Sequence, residues 1–214
     1  MSNQRNTFLI LLKMVQYLNM WRKSIKIQVE VSARHCHLSE KDLATLFGAD
    51  KGLTKLKQLS QPSDFACQET VDIEFGSKKI EKVRIVGPAR GQTQVEISLS
   101  DAIDSGLVPP LRISGDLQGS AGVTLYGPKG SVELKEGLII SKRHLHCATK
   151  DAEKYKLKNS DIVSVEISGQ RTVIFKDIPV RVNDNYSLSL HLDADEGNAA
   201  GINRTGEGLI IKNL

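Results

Sequence analysis

The chain has 214 residues, 40% apolar and 25% charged, which is ordinary globular usage; it excludes a disordered or fibrous chain and suits one or two domains with real cores. The net charge of +4 is concentrated at the start: Arg5, Lys13, Arg22, Lys23 and Lys26 precede the first acidic residue, Glu30, leaving 24 basic residues against 25 acidic ones. That near-neutral body carries only 5% aromatic residues, which argues against a nucleic-acid surface with its clustered cations and stacking partners.

Residues 1–24 form the first unit. Phe8 to Trp21 are mostly apolar, but Lys13, Gln16 and Asn19 interrupt them, so no uncharged run is long enough to span a membrane. The stretch ends in Trp21-Arg22-Lys23 without a small-residue cleavage site, so it reads as an amphipathic extension rather than a signal peptide. Short alternating or β-branched runs then predict strands at Ile25 to Val31, Val71 to Phe75, Lys82 to Val86, Thr93 to Leu99, Ile162 to Ile167, Arg171 to Phe175 and Tyr186 to Leu192. Helices are short: Ser39 caps Glu40 to Phe47, with Asp42 at the third helical position and Gly48 as a stop, and Thr149 to Tyr155 is its later counterpart. Many short strands with few helices predict a mainly β fold of two small β-barrels with short capping helices.

The chain repeats itself at an offset of 109. Ser32, Arg34, His35, His37, Lys41 and Asp42 align with Ser141, Arg143, His144, His146, Lys150 and Asp151. Two related halves are expected, a first domain at 25–136 and a second at 137–214, each with one R-H-x-H where a strand gives way to a short helix. The cysteines Cys36, Cys67 and Cys147 are odd in number and lack C-x-x-C spacing, which argues against a disulfide framework and for a reducing compartment such as the cytoplasm.

All five histidines fall in three places: His35 and His37, His144 and His146, and His191. On extended backbone, residues i and i+2 share a face with Cα atoms roughly 6.5–7 Å apart, so two imidazoles can converge on one metal ion. On a helix the same spacing splays them by about 200°. A catalytic zinc site uses three protein ligands and keeps a fourth position open, so each pair needs one more donor. His191 can complete only one pair. Glu96, on the polar face of Gln94 to Leu99, is a candidate for the other, against the alternative that it is an ordinary polar strand residue. Cys36 should turn away from its histidine neighbours. Two glycine-containing segments, Gly87 to Glu96 with Arg90 and Ser114 to Gly122, can approach an anion closely, although turns are the plainer reading of both.

These motifs, taken in order, resemble the phosphotransacylases of the microcompartment type, the PduL-like phosphate propanoyltransferase family. The resemblance runs from about Val29 to Ala200. It includes V-x-V-S-A-R-H-x-H-L-S at Val29 to Ser39, Leu59-Ser60-Gln61-Pro62, Phe65 to Val71, Val83 to Arg90, Thr93 to Glu96, Ser114 to Leu117, the second R-H-x-H, and His191 to Ala199. The resemblance implies a two-barrel fold, two zinc ions, and transfer of a propanoyl or acetyl group between coenzyme A and phosphate by direct attack of zinc-bound phosphate on the thioester. One zinc would be held by His35, His37 and Glu96 and the other by His144, His146 and His191. Arg90 would bind phosphate as the catalytic arginine. Coenzyme A would lie against Val31, Ser32 and Ala33, with Arg84 and Asn198 among its contacts, and the family's lysine near Lys78 is shifted or replaced by Ser77. Acyl-CoA and phosphate are the implied partners, and residues 1–24 resemble an encapsulation peptide that would dock the enzyme onto microcompartment shell proteins, in the setting of propanediol degradation; a homo-oligomer is compatible with the sequence. Ser63-Asp64 replaces the family's usual Gly-Gln after Pro62. Two rival readings are a metal-dependent bicupin, for which His35 to Glu40 approximates H-x-H followed by Glu, and a noncatalytic zinc-stabilised shell component.

Overall fold

A computed structural model describes residues 25–211; the amphipathic extension at 1–24 lies outside that range. The described chain forms β1 (Ile25–Val31), β2 (His35–His37), α1 (Glu40–Phe47), β3 (Lys55–Gln58), β4 (Phe65–Phe75), β5 (Lys78–Gly87), β6 (Gln94–Ile97), α2 (Leu99–Ala102), β7 (Leu111–Arg112), β8 (Ala121–Tyr126) and β9 (Ser131–Ser141). The second half follows with β10 (His144–Cys147), α3 (Thr149–Tyr155), β11 (Ile162–Ile167), β12 (Val173–Val182), β13 (Ser189–Leu192), α4 (Ala194–Ala200) and β14 (Thr205–Ile211). No described helix is long and apolar enough to cross a membrane.

The strands close into two six-stranded barrels. One runs β4-β5-β2-β6-β9-β8 and closes where β8 pairs with β4; the other runs β1-β13-β10-β12-β11-β14 and closes where β14 pairs with β1. The expected division at residue 136 therefore falls inside β9, and β1, assigned by sequence to the first domain, belongs to the second barrel. The exchange is reciprocal. β6 pairs in parallel with β9, and β13 pairs in parallel with β1, although β1 and β9 are counterparts at the 109-residue offset. Each half thus lends its opening strand to the other half's barrel. The side chains enforce this, because Ile25, Ile27 and Val29 are buried in the second core and Leu138 of β9 in the first. At about 1.5–3 kcal/mol per buried aliphatic side chain, the three residues of β1 contribute on the scale of a whole domain's net stability. Neither half can complete its core alone.

Local chemistry accounts for the elements. β1 alternates buried Ile25, Ile27 and Val29 with outward Lys26, Gln28 and Glu30. Ser39 accepts a hydrogen bond from the Asp42 amide and starts α1 as expected, while the Asp42 carboxylate, instead of returning to Ser39, accepts from Thr93. The Ser39 amide donates to Thr93 in turn (2.9 Å), so the second half of the capping arrangement is supplied across the barrel, from just before β6. β5 and β12 each run through a left-handed non-glycine residue, Lys82 at φ 55° and Asp177 at φ 56°, at equivalent points of the two halves. These kinks are why sequence periodicity reads only one part of each strand.

Candidate metal and phosphate site

The two R-H-x-H motifs occupy β2 and β10, short central strands flanked in the same way. β2 pairs in parallel with β5 and antiparallel with β6; β10 pairs in parallel with β12 and antiparallel with β13. Strand alternation sends Cys36 and Leu38, like Leu145 and Cys147, into the cores. The histidines between them project from the barrels' outer faces into a shared cavity of about 890 Å³.

Register supplies the third donor in each case. His35 lies opposite Glu96 and His144 opposite His191 across the same kind of antiparallel pair, so Glu96 and His191 are equivalent positions of the duplicated fold. His35, His37 and Glu96 form one group and His144, His146 and His191 another, and within each group the potential ligand atoms all lie within 4.8 Å of one another. His35 Nε2 stands 3.8 Å from Glu96 Oε1, and His144 Nε2 stands 2.8 Å from His146 Nε2. The donor sets fit a divalent cation such as zinc. The Nδ1 atoms of His35, His37 and His144 each lie 2.9 Å from a backbone carbonyl, of Ala33, Val86 and Lys142 respectively. An Nδ1–H donated to a carbonyl leaves Nε2 as the free lone pair, the second-sphere arrangement that orients metal-binding imidazoles.

The electrostatics favour neutral imidazoles at His37, His144, His146 and His191 beside an ionised acid. Burial, reinforced by neighbouring histidines and arginines, lowers His146 to about 2 and His191 to about 3, and it lowers His37 and His144 as well. Burial by itself would raise the Glu96 carboxyl; His35, His37 and the hydroxyls of Ser141 and Ser114 outweigh it and hold the group down. The field of Glu96 also reaches His144 and His191, so the two groups form one electrostatic unit. Because His146 and His191 take up protons far more readily in the unfolded chain, near 6.5, metal-free protein should lose stability as pH falls below about 6.5, down toward about 3. Thermal unfolding of chelator-treated protein from pH 8 to 4 checks this; a flat or rising midpoint on acidification would contradict it.

The arginine of each motif has its own job. Arg34 pairs with Asp101 at 2.7 Å, and Arg143 with Glu196 at 2.7 Å. Asp101 and Glu196 are the third residues of α2 and α4, helices that start directly after the strands carrying Glu96 and His191, and both close capping boxes there. In R-H-x-H the arginine thus clamps the histidine strand to the helix that follows the third donor.

Arg90 emerges from the turn after β5. Gly87 is required at its root, since a Cβ there would lie 2.5 Å from the Phe65 ring. The Arg90 amide donates to Leu38 O at 2.8 Å, and its guanidinium donates to Ser114 Oγ at 3.2 Å and lies 3.7 Å from Asp64. It lines the cavity, and its positive charge acts on both His37 and His146, one histidine from each donor group. From the second glycine-containing segment only Ser114 and Gly115 line the cavity, with Gly115 N donating to Gln94 Oε1 at 2.8 Å; the rest of the segment is a turn held by Ser120 on Leu117 O.

Val31, Ser32, Ala33 and Arg84 also line the cavity, and Arg84 is tied at 2.9 Å to the carbonyls of both Cys67 and Gln68. Asn198 is exposed on α4, away from the cavity lining. Lys78 points elsewhere, donating to Ile103 O at 3.2 Å, while Lys57 of β3 lines the cavity. Sequence reading did not single out Lys57, Arg181 or Glu30, all of which line it. Each sits on the polar side of a strand, a pattern shared with ordinary surface residues. Glu40, the acid of the cupin-like reading, is exposed at the start of α1 and joins neither donor group.

A sequence model of the phosphate propanoyltransferase family matches residues 28–203. The chain is 47% identical over 203 residues to a phosphate propanoyltransferase of Thermotoga maritima, covering 94% of this chain and 96% of that one. It is 46% identical to one from Priestia megaterium, with 94% and 93% covered, and 44% identical to one from Clostridioides difficile, with 89% and 91% covered. The chain belongs to the phosphate propanoyltransferase family, a family of acyltransferases.

Proposed function

We propose that the cavity between the barrels interconverts acyl-CoA and phosphate with acyl phosphate and CoA by direct displacement. The observation that carries this reading is the convergence of two three-donor groups and Arg90 on one cavity. Two divalent cations, zinc by donor chemistry, would be held by His35, His37 and Glu96 and by His144, His146 and His191, and would supply the positive charge that offsets phosphate's repulsion from its target. Arg90 grips the phosphate and aims one oxygen at the thioester carbonyl carbon, converting an encounter into an oriented near-attack arrangement. The new C–O bond forms as the C–S bond breaks, and the electron pair leaves on the CoA sulfur. Coenzyme A lies along Val31, Ser32, Ala33 and Arg84, with Asn198 of α4 reached from outside the cavity. A volume of about 890 Å³ stands at the upper end of the usual range for ligand sites, which suits an extended substrate.

A covalent acyl-cysteine is disfavoured. Cys36 is fully buried in the first core, and burial pushes its thiol up, away from the nucleophilic thiolate. Cys36→Ser should keep turnover within about threefold; inactivation with both metals still bound would restore the covalent route. The function itself is tested by free CoA released from propanoyl-CoA and acetyl-CoA. Release that requires phosphate is expected, whereas metal binding without such turnover across several acyl chains would favour a noncatalytic protein or a different metalloenzyme.

A further inference from the structure

Glu30 is a partly buried acid that the proposed reaction leaves without a role. It stands on β1 with its Cα in register opposite His191 of β13, and both side chains leave the outer face of the second barrel. Its Oε2 lies 3.7 Å from His191 Nε2, matching the 3.8 Å that separates Glu96 from His35 in the first donor group. The Ser60 hydroxyl donates to the same oxygen. The other oxygen, Oε1, is buried with no hydrogen-bond partner, and the side chain keeps only 15% of its exposure.

A carboxylate oxygen in that condition carries a desolvation cost that a protein tolerates only when something offsets it. Among the described residues, His191 is the only basic side chain within ion-pair distance of Glu30. The fold does not demand an acid here either. At the equivalent place on β9, facing Glu96 across the same parallel pairing, stands Ile139, fully buried.

We infer that Glu30 is a fourth protein donor to a divalent cation held by His144, His146 and His191. The inference rests on the metal-binding reading of that group and adds a division of labour to it. Four protein donors close a metal site, whereas three leave a position for substrate. The cation at His35, His37 and Glu96 is then the one that keeps an open position, and its neighbour is held chiefly by protein.

The test uses the full chain with Glu30→Gln, which keeps shape and removes charge, and Glu30→Ala. Metal content is followed against graded free zinc, and the visible spectrum is recorded after cobalt(II) substitution. Wild type should bind two ions, and both variants should hold one of them about 10- to 100-fold more weakly, with a changed cobalt spectrum for that ion alone. Thermal unfolding adds a readout with two signs. Glu30→Gln should be more stable than wild type without metal, because an uncompensated buried charge is gone, and less stable with zinc. A wild type that binds two ions alongside variants that hold both with unchanged affinity and spectrum would overturn the Glu30 assignment alone. A wild type that binds no divalent ion would overturn both this inference and the metal reading beneath it.

Discussion

Glu96→Gln should remove one metal ion per chain and lower turnover on the order of 10³-fold, since a bound cation contributes several kcal/mol to charge stabilisation. The carboxylate is buried at the cavity wall, accepts a hydrogen bond from Gln94 Nε2 and faces His35, and the neutral amide that would replace it lacks the charge and offers fewer lone pairs. A more informative change is Glu96→His. The duplicated fold places Glu96 where the second barrel has His191, so the variant would build a second all-histidine group in a backbone already shown to accommodate one. It should retain both ions, because the equivalent geometry holds three imidazoles, yet turn over more slowly than wild type because the site gains a unit of positive charge. Metal content by mass spectrometry, measured beside the rate, separates the two outcomes. Full activity in Glu96→Gln would remove this residue from the site.

Arg90 carries the second large effect. Arg90→Ala should cut kcat/KM for phosphate about 10²- to 10³-fold, the usual scale for losing an electrostatic donor aimed at the reacting group, while KM for acyl-CoA stays within a few-fold. Arg90→Lys should recover only part of the loss, because an ammonium is a point charge and the guanidinium fork grips two oxygens at once. Equal losses for both substrates would instead mark a structural arginine. Asp64, 3.7 Å from the guanidinium, competes with phosphate for the same charge. Asp64→Gln, which removes that competing charge, should therefore lower KM for phosphate.

Much of the site is legible in sequence because its geometry is local. The H-x-H spacing on extended chain places both imidazoles of each pair on one face and Cys36 on the other, as β2 and β10 do. The bounds of β1, β11, α1 and α3 also agree with the sequence reading; those of α1 are set by its Ser39 cap within a few positions, whereas α3 starts after Ala148 without a side-chain cap. The exchange of β1 and β9 is not legible, since their partners are chosen by burial against strands more than a hundred residues away. Nor is the extent of β5 and β12, where Lys82 and Asp177 turn the strand through a conformation that periodicity does not register.

The loop from Leu59 to Asp64 shows the same limit at the site itself. In sequence, Leu59 to Pro62 resembles a family motif without a visible task, and Ser63-Asp64 departs from it. In the fold they bridge the barrels: Ser60 reaches Glu30, Gln61 binds Ser187 and Ser189, and Asp64 faces Arg90. Those contacts link β1, β13 and the turn after β5, so no local window contains them. Asn198 and Lys78 illustrate the converse, positions named by resemblance whose side chains lie away from the cavity lining.

The central claim, that two unlike cation sites on one cavity serve a single phosphate-dependent acyl transfer, is tested most directly by titrating zinc into metal-free protein while following phosphate-dependent CoA release. Activity should stay near zero through the first equivalent, as the four-donor site fills, and rise through the second. Full phosphate-dependent turnover in protein verified to contain no metal would contradict the account.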